Sequence, residues 1–205
     1  MDYAHCMLDL ETMGTGWNSA IVSIGAVAFN PDEYQPTEPV FDRNIHLRSA
    51  VDAGLTMDAD TVLWWMKQSR AARERVLRNR GTQSNDLRQV LLDFSLWFKE
   101  KVNPFGYLWA NGAAFDPVIL ENAYTVCKLP RPWKYSHVRD MRTIVQLGVE
   151  HRIDTSDINH IGTEHVALDD ALYQARVVMK IWQGLTAKPE SRGRDPELDS
   201  LGPSS

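Results

Sequence analysis

Cysteine is scarce: Cys6 and Cys127 are the only two in 205 residues. Neither belongs to a Cys-x-x-Cys pair, which argues against a structural zinc cluster, and both read as free thiols rather than a disulfide. Long apolar runs are missing as well. No stretch approaches the roughly 20 residues that cross a bilayer. The opening residues Met1 to His5 lack the basic start and apolar stretch of a signal peptide. A soluble, cytoplasmic protein with no membrane partner is therefore expected. Basic excess is also absent: the net charge is −5 and the pI about 5.7. That balance argues against coating long duplexes through many phosphate contacts, though not against gripping a few phosphates.

What is there suits one ordinary domain, with 43% hydrophobic and 24% charged residues. Repeats and low-complexity blocks are missing through Leu185. Thr186 to Ser205 is rich in Pro, Gly, Ser and charge, which predicts a disordered tail behind a domain spanning 1–185. His5 to Leu10 reads as a strand running into Glu11. Ala20 to Phe29 is apolar and β-branched and suits a buried strand, and Phe41 to Leu47 a third, in an antiparallel meander. Helices are expected over Asp58–Gln68, Ala71–Arg80 and Asp86–Lys101, the last with Leu87, Val90, Leu91, Phe94, Trp97 and Phe98 at helical spacing. Gly106–Ala110 reads as a strand. Asp116 is expected to cap a helix to Cys127, with Pro117 at its first position. Trp133–Val138 is a candidate strand, Arg139–Leu147 a helix, His151–Glu164 a polar loop, and His165–Trp182 the last helix. Strands first and alternation later predict an α/β fold, a mixed central sheet flanked by helices.

Three short patterns carry the chemistry. In Asp9-Leu10-Glu11 the two carboxylates lie two apart on a strand and so share a face. Side by side they repel, and a divalent cation is the simplest compensator. Alone, such a pair is more often a solvated strand end. Asn111-Gly112-Ala113-Ala114-Phe115-Asp116 is a strand-to-helix turn, in which Asp116 alone would pass for an N-cap. His165 and Asp170 are five apart and meet only if His165 precedes the helix. Acidic residues at a helix start are otherwise plain dipole partners.

Taken together and in this order, these residues resemble the DEDDh branch of the DnaQ-like 3′→5′ exonucleases, which have a ribonuclease H-like fold. DLET at 9–12 matches the first motif, NGAAFD at 111–116 the second, and His165 with Asp170 the third. Thr61 to Ser69 and the W-x-N-G-A-x-F-D form at 109–116 are similar to the subgroup of phage DexA-type exonucleases and Rv2179c-like exoribonucleases. The resemblance implies that Asp9, Glu11, Asp116 and Asp170 hold two Mg²⁺ or Mn²⁺ ions. It implies His165 as general base and nucleoside 5′-monophosphates as products. Spacing within the motif selects Asp170 over Asp169. Thr12, Met13, Trp65 (or Trp64), Asn111 and Phe115 are candidate substrate contacts, with plain packing as the alternative for the aromatics. Two basic groups, Arg70 to Arg80 and Lys128 to Arg142, are candidate guides for the phosphate backbone. The histidines at 151, 160 and 165 are too irregularly spaced to suggest a metal site of their own.

The expected partner is a single-stranded nucleic acid with a free 3′ end. The phage-like subgroup points toward DNA, with an exoribonuclease of the same fold as the alternative. A homodimer is a further expectation from stand-alone relatives, and host cytoplasm the location if the gene is a phage's. An end-binding protein without turnover is the reading from another class, and the complete set of five residues speaks against it. A polymerase-associated proofreading role would need a partner chain.

Overall fold

The structure is a computed structural model that describes residues 3–32, 39–77 and 85–187. Arg78, Arg80 and nearly all of the expected tail lie outside them.

Five strands form one sheet in the order β3-β2-β1-β4-β5. They are β1 (Tyr3–Thr12), β2 (Ile21–Phe29), β3 (Val40–Asn44), β4 (Val102–Ala110) and β5 (Val138–Asp140). The meander β1-β2-β3 is antiparallel, while β4 and β5 join parallel to β1. The expected mixed α/β sheet is therefore the observed one.

Period-two alternation divides β1 between two cores. Cys6, Leu8 and Leu10 point to one face and Met7 to the other. On the first face lie α4 (Leu87–Lys101) and α5 (Asp116–Val126). Leu87, Val90, Leu91, Phe94 and Phe98 of α4 make the buried stripe that their spacing predicts, and Trp97, expected with them, packs at its edge and is only partly buried. On the second face lie α6 (Met141–Glu150) and α7 (Ala167–Thr186), through Met141, Ile144, Ala171, Ala175, Val178 and Ile181. Three shorter helices, α1 (Leu47–Asp52), α2 (Ala59–Lys67) and α3 (Arg70–Leu77), follow the meander.

Several sequence-based boundaries need correcting. The third strand stops at Asn44, and Leu47 opens a helix that the sequence did not reveal. Trp133 is not in a strand. It is buried in the first core, Tyr135–His137 is a 3₁₀ turn, and the strand is Val138–Asp140. The next helix accordingly starts at Met141 and is capped by Asp140, whose carboxylate accepts the Arg142 N–H at 2.8 Å. β4 starts at Val102 rather than Gly106; Pro104, which cannot donate to a ladder, falls where the register with β1 is irregular. α7 extends through Thr186, one residue into the expected tail.

The topology places the site. β1 and β4 are parallel, so their C-terminal ends emerge at one edge of the sheet, where α/β folds commonly bind ligands. The Asp9–Glu11 segment lies at one of these ends and the Asn111–Asp116 turn follows the other.

Candidate active site

Asp9 and Glu11 share the face of β1 that looks toward α7, opposite Gly25 and Ser23 of β2. Gly25 governs how close α7 can come. A Cβ there would stand 2.1 Å from the Ala167 carbonyl carbon, so only glycine lets the start of α7 lie on the sheet. That contact carries Asp170, in the first turn of α7, to the carboxylates of β1.

His165 sits just before α7, in the left-handed region at φ 64°, which histidine tolerates better than most residues. Its N–H donates to Asp170 Oδ2 at 2.9 Å, which holds the turn. Glu11, His165 and Asp170 each bring a potential ligand atom within 4.8 Å of the others. The neighbouring Asp169 points elsewhere and accepts the Thr163 N–H at 2.8 Å.

Asp116 is the first residue of α5 rather than its cap; that position is Phe115, which makes no side-chain cap bond. The Asp116 carboxylate is drawn across to β1 instead, where Oδ1 accepts the Leu10 N–H at 3.1 Å. Asp9 accepts from Gln174 of α7, with Nε2 to Oδ1 at 2.8 Å.

Electrostatics mark the cluster. Burial, then repulsion from Asp170 and Asp116, pushes Glu11 up to about 8. Burial raises Asp116 to about 7, against the Leu10 hydrogen bond and the Arg142 charge, which lower it. Asp9 is raised well above the carboxylate range by burial and by Asp116, Glu11 and Asp170, with Gln174 opposing. The fold thus holds together acids that repel one another, an arrangement that favours a bound cation. Carboxylate oxygens are donors of the kind that hard divalent cations take.

A cleft of about 760 Å³ opens beside the cluster. Leu10, Glu11, Thr12 and Phe115 line it, as do Gly14 to Gly16 and Ser19 of the β1–β2 turn and Asp58, Thr61, Trp64 and Trp65 of α2 and its cap. Asp58 ties these walls together: it caps α2 through the Thr61 N–H at 2.8 Å and accepts the Thr15 N–H at 3.2 Å.

The candidate substrate contacts divide. Thr12 lines the cleft, but its hydroxyl is bonded to the Gly14 carbonyl at 2.7 Å. Met13 turns its side chain into the core, and its backbone is bonded to Ala20 and Asp58. Trp65 is 6% exposed and donates Nε1–H to the Thr12 carbonyl at 2.9 Å, so it braces the wall. Trp64 is the accessible ring, 40% exposed and edge-on to His165 at 4.8 Å between centroids. Phe115 lines the cleft. Asn111 does not; its Oδ1 faces Arg142 Nε at 3.4 Å.

Among the described residues, several basic side chains of the two groups are engaged elsewhere. Arg70 pairs with Glu74, Arg75 with Asp42 and Arg131 with Glu121, and Arg139 lies over Tyr107. Arg142 is the member of the second group whose charge reaches a site carboxylate, Asp116.

Two site neighbours are not assigned to the site from sequence, where His160 is set aside with the other irregularly spaced histidines. Gln174 is one. The other is His160, whose Nε2 is hydrogen-bonded to Asp170 Oδ1 at 2.6 Å. The i, i+4 spacing of Asp170 and Gln174 was a usable signal for the first. Nothing local signalled the second, because the loop that carries it has no period.

Residues 4–182 match the family described as the 3′-5′ exoribonuclease Rv2179c-like domain. The exodeoxyribonuclease of Enterobacteria phage T4 is 24% identical over 165 residues, covering 68% of this chain and 70% of the phage protein. Among solved structures, the nuclease domain of 3′hExo, a DEDDh family member bound to rAMP, superposes with a TM-score of 0.59 at 15% identity. That match covers 89% of this chain and 94% of the other. The RNase domain of the yeast Pop2 protein gives a TM-score of 0.50 at 11% identity, over 90% of this chain and 78% of that one. These likenesses fix the fold as ribonuclease H-like, and the family match fixes the class: the chain belongs to the Rv2179c-like 3′-5′ exoribonuclease domain family and is a 3′-5′ exonuclease of the DEDDh type.

Proposed function

We propose that this exonuclease removes nucleoside 5′-monophosphates one at a time from a single-stranded 3′ end, using Asp9, Glu11, Asp116 and Asp170 to hold two divalent cations and His165 as general base. The observation that carries the reading is the gathering of mutually repelling, buried carboxylates with an imidazole beside an open cleft. When bound, Mg²⁺ or Mn²⁺ would supply activation of the attacking water and stabilisation of the leaving 3′ oxygen.

The chain's own residues do the rest. His165 takes the proton of the attacking water, from a ring that stands beside Glu11 and Asp170. The Asp170 carboxylate fixes the His165 backbone in its left-handed turn, which sets where the ring points. Trp64 offers an aromatic face at the cleft, next to His165, on which a terminal base can stack. Phe115 and the Thr12 backbone bound the space for the terminal sugar. A site that seats only the terminal nucleotides favours single strands and 3′ overhangs, since a paired end must first unpair.

Two sugars compete. The exoribonuclease family description spans residues 4–182, whereas the phage exodeoxyribonuclease aligns with 68% of the chain. Because the family to which the chain belongs is described as exoribonucleases, we take RNA as the leading substrate and DNA, toward which the phage-like motifs lean, as the second reading. Digestion of 5′-labelled RNA and DNA single strands of one sequence, with Mg²⁺ or Mn²⁺, tests this. Faster shortening of the RNA is expected; a clear DNA preference would reverse the assignment. We also take the domain expected over 1–185, extended through Thr186 by α7, as the catalytic unit and the residues beyond it as a dispensable tail.

A further inference from the structure

We infer that Gln174 is a positioning residue for Asp9, a neutral donor that presents this carboxylate for cation binding. The inference rests on the proposed role of Asp9 and adds a residue to which that role gives no part.

Gln174 lies one turn beyond Asp170 on α7, so the two side chains occupy one stripe of the helix. The other residues on this side, Ala171, Ala175, Val178 and Ile181, are apolar and fully enclosed. Gln174 is itself only 6% exposed. A polar amide in such a stripe is unfavourable unless its groups are paired. Here only half of it is: Nε2 donates to Asp9 Oδ1 at 2.8 Å, while Oε1 is enclosed without a partner among the described residues. Packing alone would be better served by leucine or methionine. What the amide adds is the single bond to Asp9.

That bond has two consequences. It fixes one oxygen of Asp9 and leaves the other for a ligand, with the carboxylate plane set by α7. It also places no positive charge beside the acid. Lysine or arginine would hold Asp9 as firmly, but would neutralise it and repel a divalent cation. Partners of this kind, which orient the ligands of a metal, typically change affinity or activity about 10–100-fold when removed.

The test is a Mn²⁺ titration by calorimetry on the full chain. The proteins are wild type, Gln174→Met (similar shape, no donor), Gln174→Asn (donor withdrawn) and Asp9→Ala. Melting without metal checks that each variant folds. We expect both Gln174 variants to melt within a few degrees of the parent and to bind Mn²⁺ about 10–100-fold more weakly. Their activity should recover substantially at saturating Mn²⁺. Unchanged Mn²⁺ affinity in both Gln174 variants, with loss in Asp9→Ala, would overturn the role of Gln174 alone. Unchanged affinity in Asp9→Ala as well would overturn the carboxylate site. A lowered melting temperature with normal affinity would make Gln174 a tie between α7 and β1 and nothing more.

Discussion

A single buried carboxylate can be disguised as a capping residue, and Asp116 is the example. Sequence alone reads it as an N-cap, yet its oxygen is bonded across to Leu10 of β1. Asparagine at 116 keeps an acceptor for that bond and removes the charge. Asp116→Asn is therefore expected to reduce turnover at saturating Mg²⁺ at least about 10³-fold, the scale of losing a group that acts as part of a unit. Its metal-free melting point should match or exceed the parent's, because repulsion is relieved. Steady-state rates and thermal melts check both halves. For His165→Ala, a loss of about 10²–10⁴ in rate with metal binding retained is expected. Lost metal binding would instead make His165 a ligand. At this scale the five motif residues were legible because each belongs to a short pattern at an element end. The choice between Trp64 and Trp65 was not. Adjacent residues point about 100° apart on a helix, and only tertiary packing decides which ring is enclosed.

Between elements, the contact that matters most is the seat of α7 on β2. Gly25 reads in sequence as one small residue in an apolar strand, and its purpose appears only when α7 is laid across it. Gly25→Ala would force the first turn of α7 outward and move Asp170 away from Asp9 and Glu11. Overpacking of this sort typically costs about 1–3 kcal/mol. The variant should melt several degrees lower and bind Mn²⁺ more weakly; wild-type metal affinity would contradict the seating argument. The helical stripe made α4 readable from sequence, the apolar, β-branched run β2, and Pro117 at the first turn α5. Six-residue α1 was hidden, since an element that short carries under two helical turns of pattern. Trp133 misled because an enclosed aromatic looks the same whether it sits in a strand or a loop packed on the core.

Over the whole molecule, the site's carboxyls link stability to pH. Glu11 is raised from its ordinary 4.5 to about 8, and Asp116 from 3.8 to about 7. The folded state keeps these protons longer than the unfolded chain, so the stability they contribute is lost as pH rises through that window. His5, buried and lowered from 6.5 to about 4, acts in the opposite sense and loses stability as pH falls from 6.5 to 4. The two effects overlap below 6.5, which leaves 6.5 to 8 as the diagnostic range. In chelator, melting temperature is expected to fall across it, and less steeply in Glu11→Gln. Added Mn²⁺ should stabilise more at pH 8 than at pH 6.5, because a cation displaces the protons the cluster retains. Removing residues 188–205 should leave the rate within about twofold, as expected for a tail with few aromatics and much charge. The most direct test of the whole account is digestion of a 5′-labelled linear single strand beside its covalently closed circle, with Mg²⁺ and with chelator. A metal-dependent descending ladder from the linear strand, release of 5′-monophosphates and an intact circle are predicted. Cleavage of the circle, or an undiminished ladder in chelator, would contradict it.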